Sequence, residues 1–115
     1  MGLNVGDSGK LFGYNTKFDL SSNTSLELTV TDPNGNPTDI LSSRISAPAT
    51  DGVFDENGID RTYLANEYMQ FTNLVTDFTI DGEWEVCGIY TNTNVTPNEI
   101  FTLPVKVFTV DPECK

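Results

Sequence analysis

The sequence predicts an all-β fold, an antiparallel β-sandwich of about seven short strands, and three observations carry that expectation. Residues 25–31 alternate strictly, with Leu26, Leu28 and Val30 on one face and Ser25, Glu27, Thr29 and Thr31 on the other. A period of two marks a half-buried strand. Turn signals separate the apolar stretches: Gly6-Asp7-Ser8-Gly9, Ser21-Ser22-Asn23 and Asp32-Pro33-Asn34-Gly35-Asn36-Pro37. The closing third holds two more alternating segments, 82–90 and 100–110, joined by a polar stretch, which reads as a hairpin with a long loop.

Taken in order, residues 10–14 form the first strand, with Leu11 and Phe12 on opposite faces and Gly13 at a bend or bulge. After the 25–31 strand, Pro33 fits the first central turn position and Asn34-Gly35 tolerates positive φ. Ile40-Leu41 and Arg44-Ile45-Ser46 then return antiparallel to 25–31. The stretch 47–60, rich in Pro, Gly and Asp, reads as a loop that Val53 and Phe54 pin to the core. Residues 61–66 stay open to a helical turn, with Asp60 as a fair N-cap, and 67–72 resume a strand. Leu74, Phe78 and Ile80 bury against one end of the core as the chain crosses to Gly82. In the final hairpin Trp84, Val86 and Tyr90 share one face, and Leu103, Val105 and Val107 the facing register. The expected core anchors are thus Trp84, Val86, Leu26, Leu28, Val30, Val105 and Val107. Pro104 and the exposed acidic residues would protect sheet edges.

At 115 residues the chain makes a single domain, 1–115, with short tails at 1–5 and 111–115 available for contacts. Hydrophobic residues are 37% of the chain, so the 7 Phe, 4 Tyr and single Trp must supply much of the burial. The net charge of −11 repels phosphate backbones and anionic headgroups, which argues against nucleic-acid and membrane-surface partners. Histidine is absent, removing Ser-His-Asp and Cys-His chemistry and histidine metal sites together. The expectation is no enzyme, no catalytic residue and no cofactor. Cys87 and Cys114 read as free thiols. No basic and apolar leader follows Met1, and no apolar run reaches membrane-spanning length, so assembly in the cytoplasm is expected.

Two acidic groups invite chemistry. Asp51, Asp55, Asn57 and Asp60 offer oxygen ligands for a cation, with Gly58 supplying a bend, but Asp55-Glu56-Asn57-Gly58 misses the EF-hand spacing. An ordinary solvated loop is the plainer account, and no metal is expected. Glu83 and Glu85 share a strand face; glycosidases use paired carboxylates across a cleft, whereas neighbours on one strand read as a solvated face. Asn23-Thr24-Ser25 and Asn94-Val95-Thr96 match the N-glycosylation pattern, which means little without a secretory leader. Exposed aromatics at Tyr63, Tyr68 or Tyr90, taken with the acidic loop, would give an alternative function: a carbohydrate-binding or calcium-dependent adhesive β-sandwich.

Gly82 and Trp84 resemble the immunoglobulin family's spacing at the sandwich corner, where a cysteine follows two residues later. Here that position is Val86, and Cys87 points to the other face, so the resemblance implies a sandwich without an intersheet disulfide. Val5-Gly6-Asp7-Ser8-Gly9, the run Phe18-Asp19-Leu20-Ser21-Ser22-Asn23-Thr24-Ser25-Leu26-Glu27-Leu28, the turn Asp32-Pro33-Asn34-Gly35 and Gly82-Glu83-Trp84 together resemble small immunoglobulin-like virion proteins of tailed bacteriophages and prophages. The likeness runs in order along most of the chain. It implies a non-enzymatic structural protein of the virion, assembled in the host cytoplasm. Such a protein serves as an adaptor in the tail, baseplate or fibre-attachment region, or decorates the capsid. Its partners would be other virion proteins (capsid, tail or fibre), engaged in multiple copies. Candidate contacts are the 1–5 segment through Leu3 and Val5, the 47–60 loop through Val53 and Phe54, and the tail after Val110.

Overall fold

The computed structural model describes residues 3–56 and 58–112. Among them the elements run β1 (Leu3–Asn4), β2 (Leu11–Asn15), β3 (Ser25–Thr31), β4 (Pro37–Ile40), a 3-10 turn at Ser42–Arg44, β5 (Gly52–Glu56), β6 (Ile59–Tyr63), β7 (Tyr68–Thr72), β8 (Gly82–Asn92), β9 (Glu99–Thr102) and β10 (Lys106–Asp111). The fold is all-β, and no helix among the described residues is long and apolar enough to cross a membrane.

Turn chemistry sets the first long hairpin. The Asp32 carboxylate accepts from the N–H groups of Asn34 and Asn36, at 2.8 and 2.9 Å, and Gly35 takes φ 86°. The turn therefore closes at Asn36, and the return strand starts at Pro37, opposite Thr31. Only Ile40 of the expected 40–46 strand belongs to it; residues 42–44 make the 3-10 turn instead.

One curled sheet orders its strands β1-β10-β8-β3-β4, with β9 also on β8. Every pairing is antiparallel except β1 with β10. Because β3 covers β8 from Glu85 to Thr91, β9 and β10 must lie end to end along the opposite flank of β8. The two-stranded ribbon β2–β7 covers the inner face of this sheet. Its Phe12, Tyr14, Met69 and Phe71 pack with Leu26, Leu28, Val30, Trp84, Val86, Tyr90 and Val110 in one buried cluster. Gly88 shows how close the layers come: a Cβ there would lie 3.0 Å from Tyr14 Cε2 and 3.1 Å from Met69 Cε.

The last strand corrects the expected register. A continuous strand over 100–110 would put Leu103, Val105 and Val107 on one face. Pro104 has no N–H to give a ladder, so pairing stops at Thr102 and resumes at Lys106 with the phase shifted by one residue. Leu103 stays buried, its N–H donating to Gly88 O at 2.8 Å. Beyond it Phe108 and Val110 face inward, while Val105 and Val107 are each 57% exposed and are not core anchors. Phe108 takes their place, its ring 4.9 Å from Phe12, 5.4 Å from Phe78 and 6.3 Å from Trp84.

Three further expectations change. The 47–60 stretch is no loop: its second half pairs as β5–β6, turning at Gly58 with φ 84°. Residues 61–63 continue β6, and Asn66 turns the chain at φ 64°, a left-handed value its short amide tolerates. Within the 1–5 segment, residues 3–5 are no free tail, since Leu3 and Asn4 pair with β10 and Val5 N–H donates to Asp111 O at 2.9 Å. Likewise Asp111 closes β10, so the expected C-terminal tail begins inside the sheet. Phe78 is buried and Ile80 partly so, but Leu74 is exposed.

Candidate binding cleft

A cleft of about 460 Å³ opens where β2, β10 and the β5–β6 hairpin meet. Its volume lies in the range of ligand sites. Phe12, Tyr14, Val86 and Phe108 line it from the core; Phe54, Asp55, Glu56 and Tyr63 line it from the hairpin. Lys106 and Asp111 bring one cationic and one anionic side chain from β10.

The hairpin wall rests on the outer face of the ribbon through aromatic rings. Phe54 stacks on Tyr63 with centroids 4.8 Å apart and meets Tyr68 edge-on at 5.5 Å. Gly13 is the seat for this contact: a Cβ there would come within 2.7 Å of the Phe54 ring, so only a residue without a side chain lets the hairpin lie down. Gly52 plays the same part under Tyr68, whose hydroxyl would be 2.7 Å from a Cβ at that position. Polar tips are tied off. Tyr63 Oη–H donates to Glu56 Oε1 at 2.7 Å, and Tyr68 Oη–H to Thr50 O at 3.0 Å.

The cleft tyrosines are held as neutral donors. Burial pushes the Tyr14 phenol up to about 12, nearby Cys87 adds to the rise, and the Gly88 backbone opposes it. Its hydroxyl donates to the Pro104 carbonyl, tying the ribbon to the break between β9 and β10. Burial followed by the Glu56 carboxylate also raises the Tyr63 phenol. Neutral phenols offer hydrogen bonds and apolar area rather than nucleophiles.

Of the residues singled out in the sequence, Trp84, Val86, Leu26, Leu28 and Val30 lie in the core. Leu3, a candidate contact, is 2% exposed and packs in the core as well, because β1 docks on β10. Val5 is partly buried against the same cluster. Phe54 is buried in the hairpin cluster, while its neighbour Val53, on the opposite strand face, is 64% exposed and so does not pin the hairpin. Asp51 Oδ1 accepts from Ala65 N–H, and Asp55 Oδ1 from Gly58 N–H. Asp60 pairs with Asp55 across the hairpin, and Asn57 lies outside the described residues, as does Cys114. No three His, Cys, Asp or Glu side chains converge among the described residues. Glu83 and Glu85 are exposed on the outer face of β8. Tyr63, Tyr68 and Tyr90 are all buried, which takes from an adhesive glycan site the exposed aromatic surface it needs.

Sequence reasoning missed Phe12, Tyr14, Glu56 and Phe108 as cleft residues. The one available signal was Gly13 inside a strand, which marks a close approach as well as a bend. No family model, curated protein or solved structure matches this chain.

Proposed function

We propose that the protein is a non-catalytic structural module of a tailed phage particle, joining other virion proteins in the tail, baseplate or fibre-attachment region or on the capsid. The observation that carries this reading is the strand order. An all-β layout of β1-β10-β8-β3-β4 with β2–β7 packed on its inner face supports reading the chain as an immunoglobulin-like sandwich, where loops and edges engage other proteins. The turn and strand motifs that carry the resemblance to small virion proteins lie at a turn and at a strand start of this layout. Asp32-Pro33-Asn34-Gly35 closes β3–β4, and Gly82-Glu83-Trp84 opens β8. The dense acidic surface keeps such a module soluble until it meets a complementary face.

Mass spectrometry of purified particles, from a host carrying the gene, tests the reading. The protein is expected among the particle's components at a fixed stoichiometry. Its absence from particles that otherwise assemble would overturn the proposal.

A further inference from the structure

We propose that two copies of this chain join edge to edge through β9, pairing antiparallel about Phe101. The bonds already made fix the direction of the free backbone groups. Leu103 N–H donates to Gly88 O at 2.8 Å, and the register sets Phe101 against Tyr90 and Glu99 against Asn92. Backbone groups alternate along a strand, so Leu103, Phe101 and Glu99 face β8, while Ile100 and Thr102 aim their N–H and C=O groups away from it. Among the described residues no strand lies beside β9 there, and no backbone hydrogen bond reaches those groups. The strand β1, which covers part of β10, sits opposite Gly82, at the other end of β8 from Asn92.

Charge selects a second copy. The chain is 20% charged and carries −11, yet from Val86 to Val105 the one charged residue is Glu99. Its carboxylate already accepts from Asn92 Nδ2–H at 3.3 Å. Like-charged molecules repel least where charge is absent, so this hairpin is where another acidic chain can come closest. The same stretch exposes Val95, Ile100, Phe101 and Val105, with Ile100 at 64% and Phe101 at 41%. At the opposite edge of the sheet, β4 carries Pro37 and the exposed Asp39, the usual guards against strand pairing. β9 reads Glu-Ile-Phe-Thr, and its last three residues are strong strand formers.

A two-fold axis at Phe101 satisfies every free group at once. Ile100 of each copy lies opposite Thr102 of the other, and each such pair exchanges both of its N–H···O bonds. The two Phe101 rings meet across the axis on the inner face, where each already stacks on its own Tyr90 at 5.9 Å and meets Phe18 edge-on at 5.6 Å. On the outer face Ile100 packs beside the second copy's Thr102. Glu99 then faces Leu103 of the second copy rather than another carboxylate. Pro97 and Pro104 bracket the strand and have no N–H to give, which limits the ladder to about 14 Å at about 3.4 Å per residue. The pairing uses up both β9 edges, so it closes as a dimer and does not grow into a fibre. A contact this short gives a monomer–dimer equilibrium rather than an obligate pair. It stands apart from the virion role, which particle composition tests.

The test is sedimentation equilibrium of the full chain from micromolar to millimolar concentration, with the thiols kept reduced, paired with amide exchange followed by NMR. The mass is expected to rise from 12.6 kDa toward twice that value, and to do so at lower concentration when salt screens the repulsion. Exchange at Ile100 and Thr102 is expected to slow tenfold or more between the dilute and the concentrated sample, with the β4 amides unchanged. Ile100→Glu places a carboxylate on each side of the axis at an exposed position, and is expected to stay monomeric with an unchanged thermal midpoint. A mass that stays monomeric throughout would overturn the proposal and leave the edge to a different protein. So would a dimer whose Ile100 and Thr102 amides gain no protection, one that Ile100→Glu leaves intact, or one that salt weakens. Amides already protected in the dilute monomer would assign the edge to the chain itself and end the proposal as well.

Discussion

The shifted phase of β10 makes a sharp prediction, because the two possible registers bury different residues. In a continuous strand Val107 is core and Phe108 is surface; in the observed one Phe108 meets Phe12, Phe78 and Trp84 while Val107 stands 57% exposed. Phe108→Ala removes a ring from three aromatic contacts. Full burial of a Phe side chain would make this cost about 3–5 kcal/mol. Phe108 is only partly buried, so about 2–3 kcal/mol is expected. Val107→Thr preserves the β-branch and places a hydroxyl in water, so its cost stays within about 0.5 kcal/mol. With a urea slope on the order of 1–3 kcal/mol/M, the Phe108 variant should lower the unfolding midpoint by about 1–2 M and the Val107 variant should leave it nearly unmoved. Circular dichroism through a urea titration reads both. A Val107→Thr cost larger than that of Phe108→Ala would refute the phase shift and the role given to Pro104.

Three more outcomes follow from the packing. Trp84 is buried, its ring edge-on to Phe78 at 5.3 Å and its Nε1–H donating to Ile80 O at 2.9 Å; Trp84→Ala should cost about 3–5 kcal/mol, with Trp84→Phe intermediate, by urea unfolding followed through circular dichroism. Arg44 forks onto Asp77 at 2.5 and 3.1 Å and lies over the Phe71 ring at 5.4 Å, so Arg44→Met should cost about 2–4 kcal/mol by stranding a buried carboxylate. The double variant Arg44→Met with Asp77→Leu should recover most of that in a double-mutant cycle. Stability should also fall in alkali. Tyr14 is raised from 10.0 to about 12, so its contribution is complete below pH 10 and is lost as pH climbs through 12, a change of about 3 kcal/mol. The raised Tyr63 acts in the same direction, and equal urea midpoints at pH 9 and pH 12 would contradict both.

Much of the frame was legible because it depends on local signals. The alternation over 25–31 matches β3 residue for residue, and Trp84, Val86 and Tyr90 point inward along β8 as a period of two requires. The 67–72 strand lies within one residue of β7. What failed was non-local. Nothing near Val53 says that only Phe54 reaches the ribbon, since that choice is made by Gly13, about forty residues earlier in the chain. The register of β10 turned on how far Pro104 interrupts pairing, and alternation alone gives two equally apolar faces there, Val105 with Val107 or Phe108 with Val110. The burial of Leu3 depends on a parallel pairing with the far end of the chain, which no short-range pattern announces.

The ribbon β2–β7 is a pair of strands with no third strand beside it among the described residues. A two-stranded ribbon is marginal by itself, and sheets ordinarily gain stability by adding strands sideways. Here the support comes from above and below. On the inner face Phe12, Tyr14, Met69 and Phe71 are buried against the large sheet, and Tyr14 Oη–H reaches across to the Pro104 carbonyl. On the outer face the Phe54, Tyr63 and Tyr68 cluster clamps the β5–β6 hairpin over Gly13. Both faces are thus sealed by aromatic area, which contributes about 25 cal/mol for each Å² removed from water and does not depend on edge hydrogen bonds.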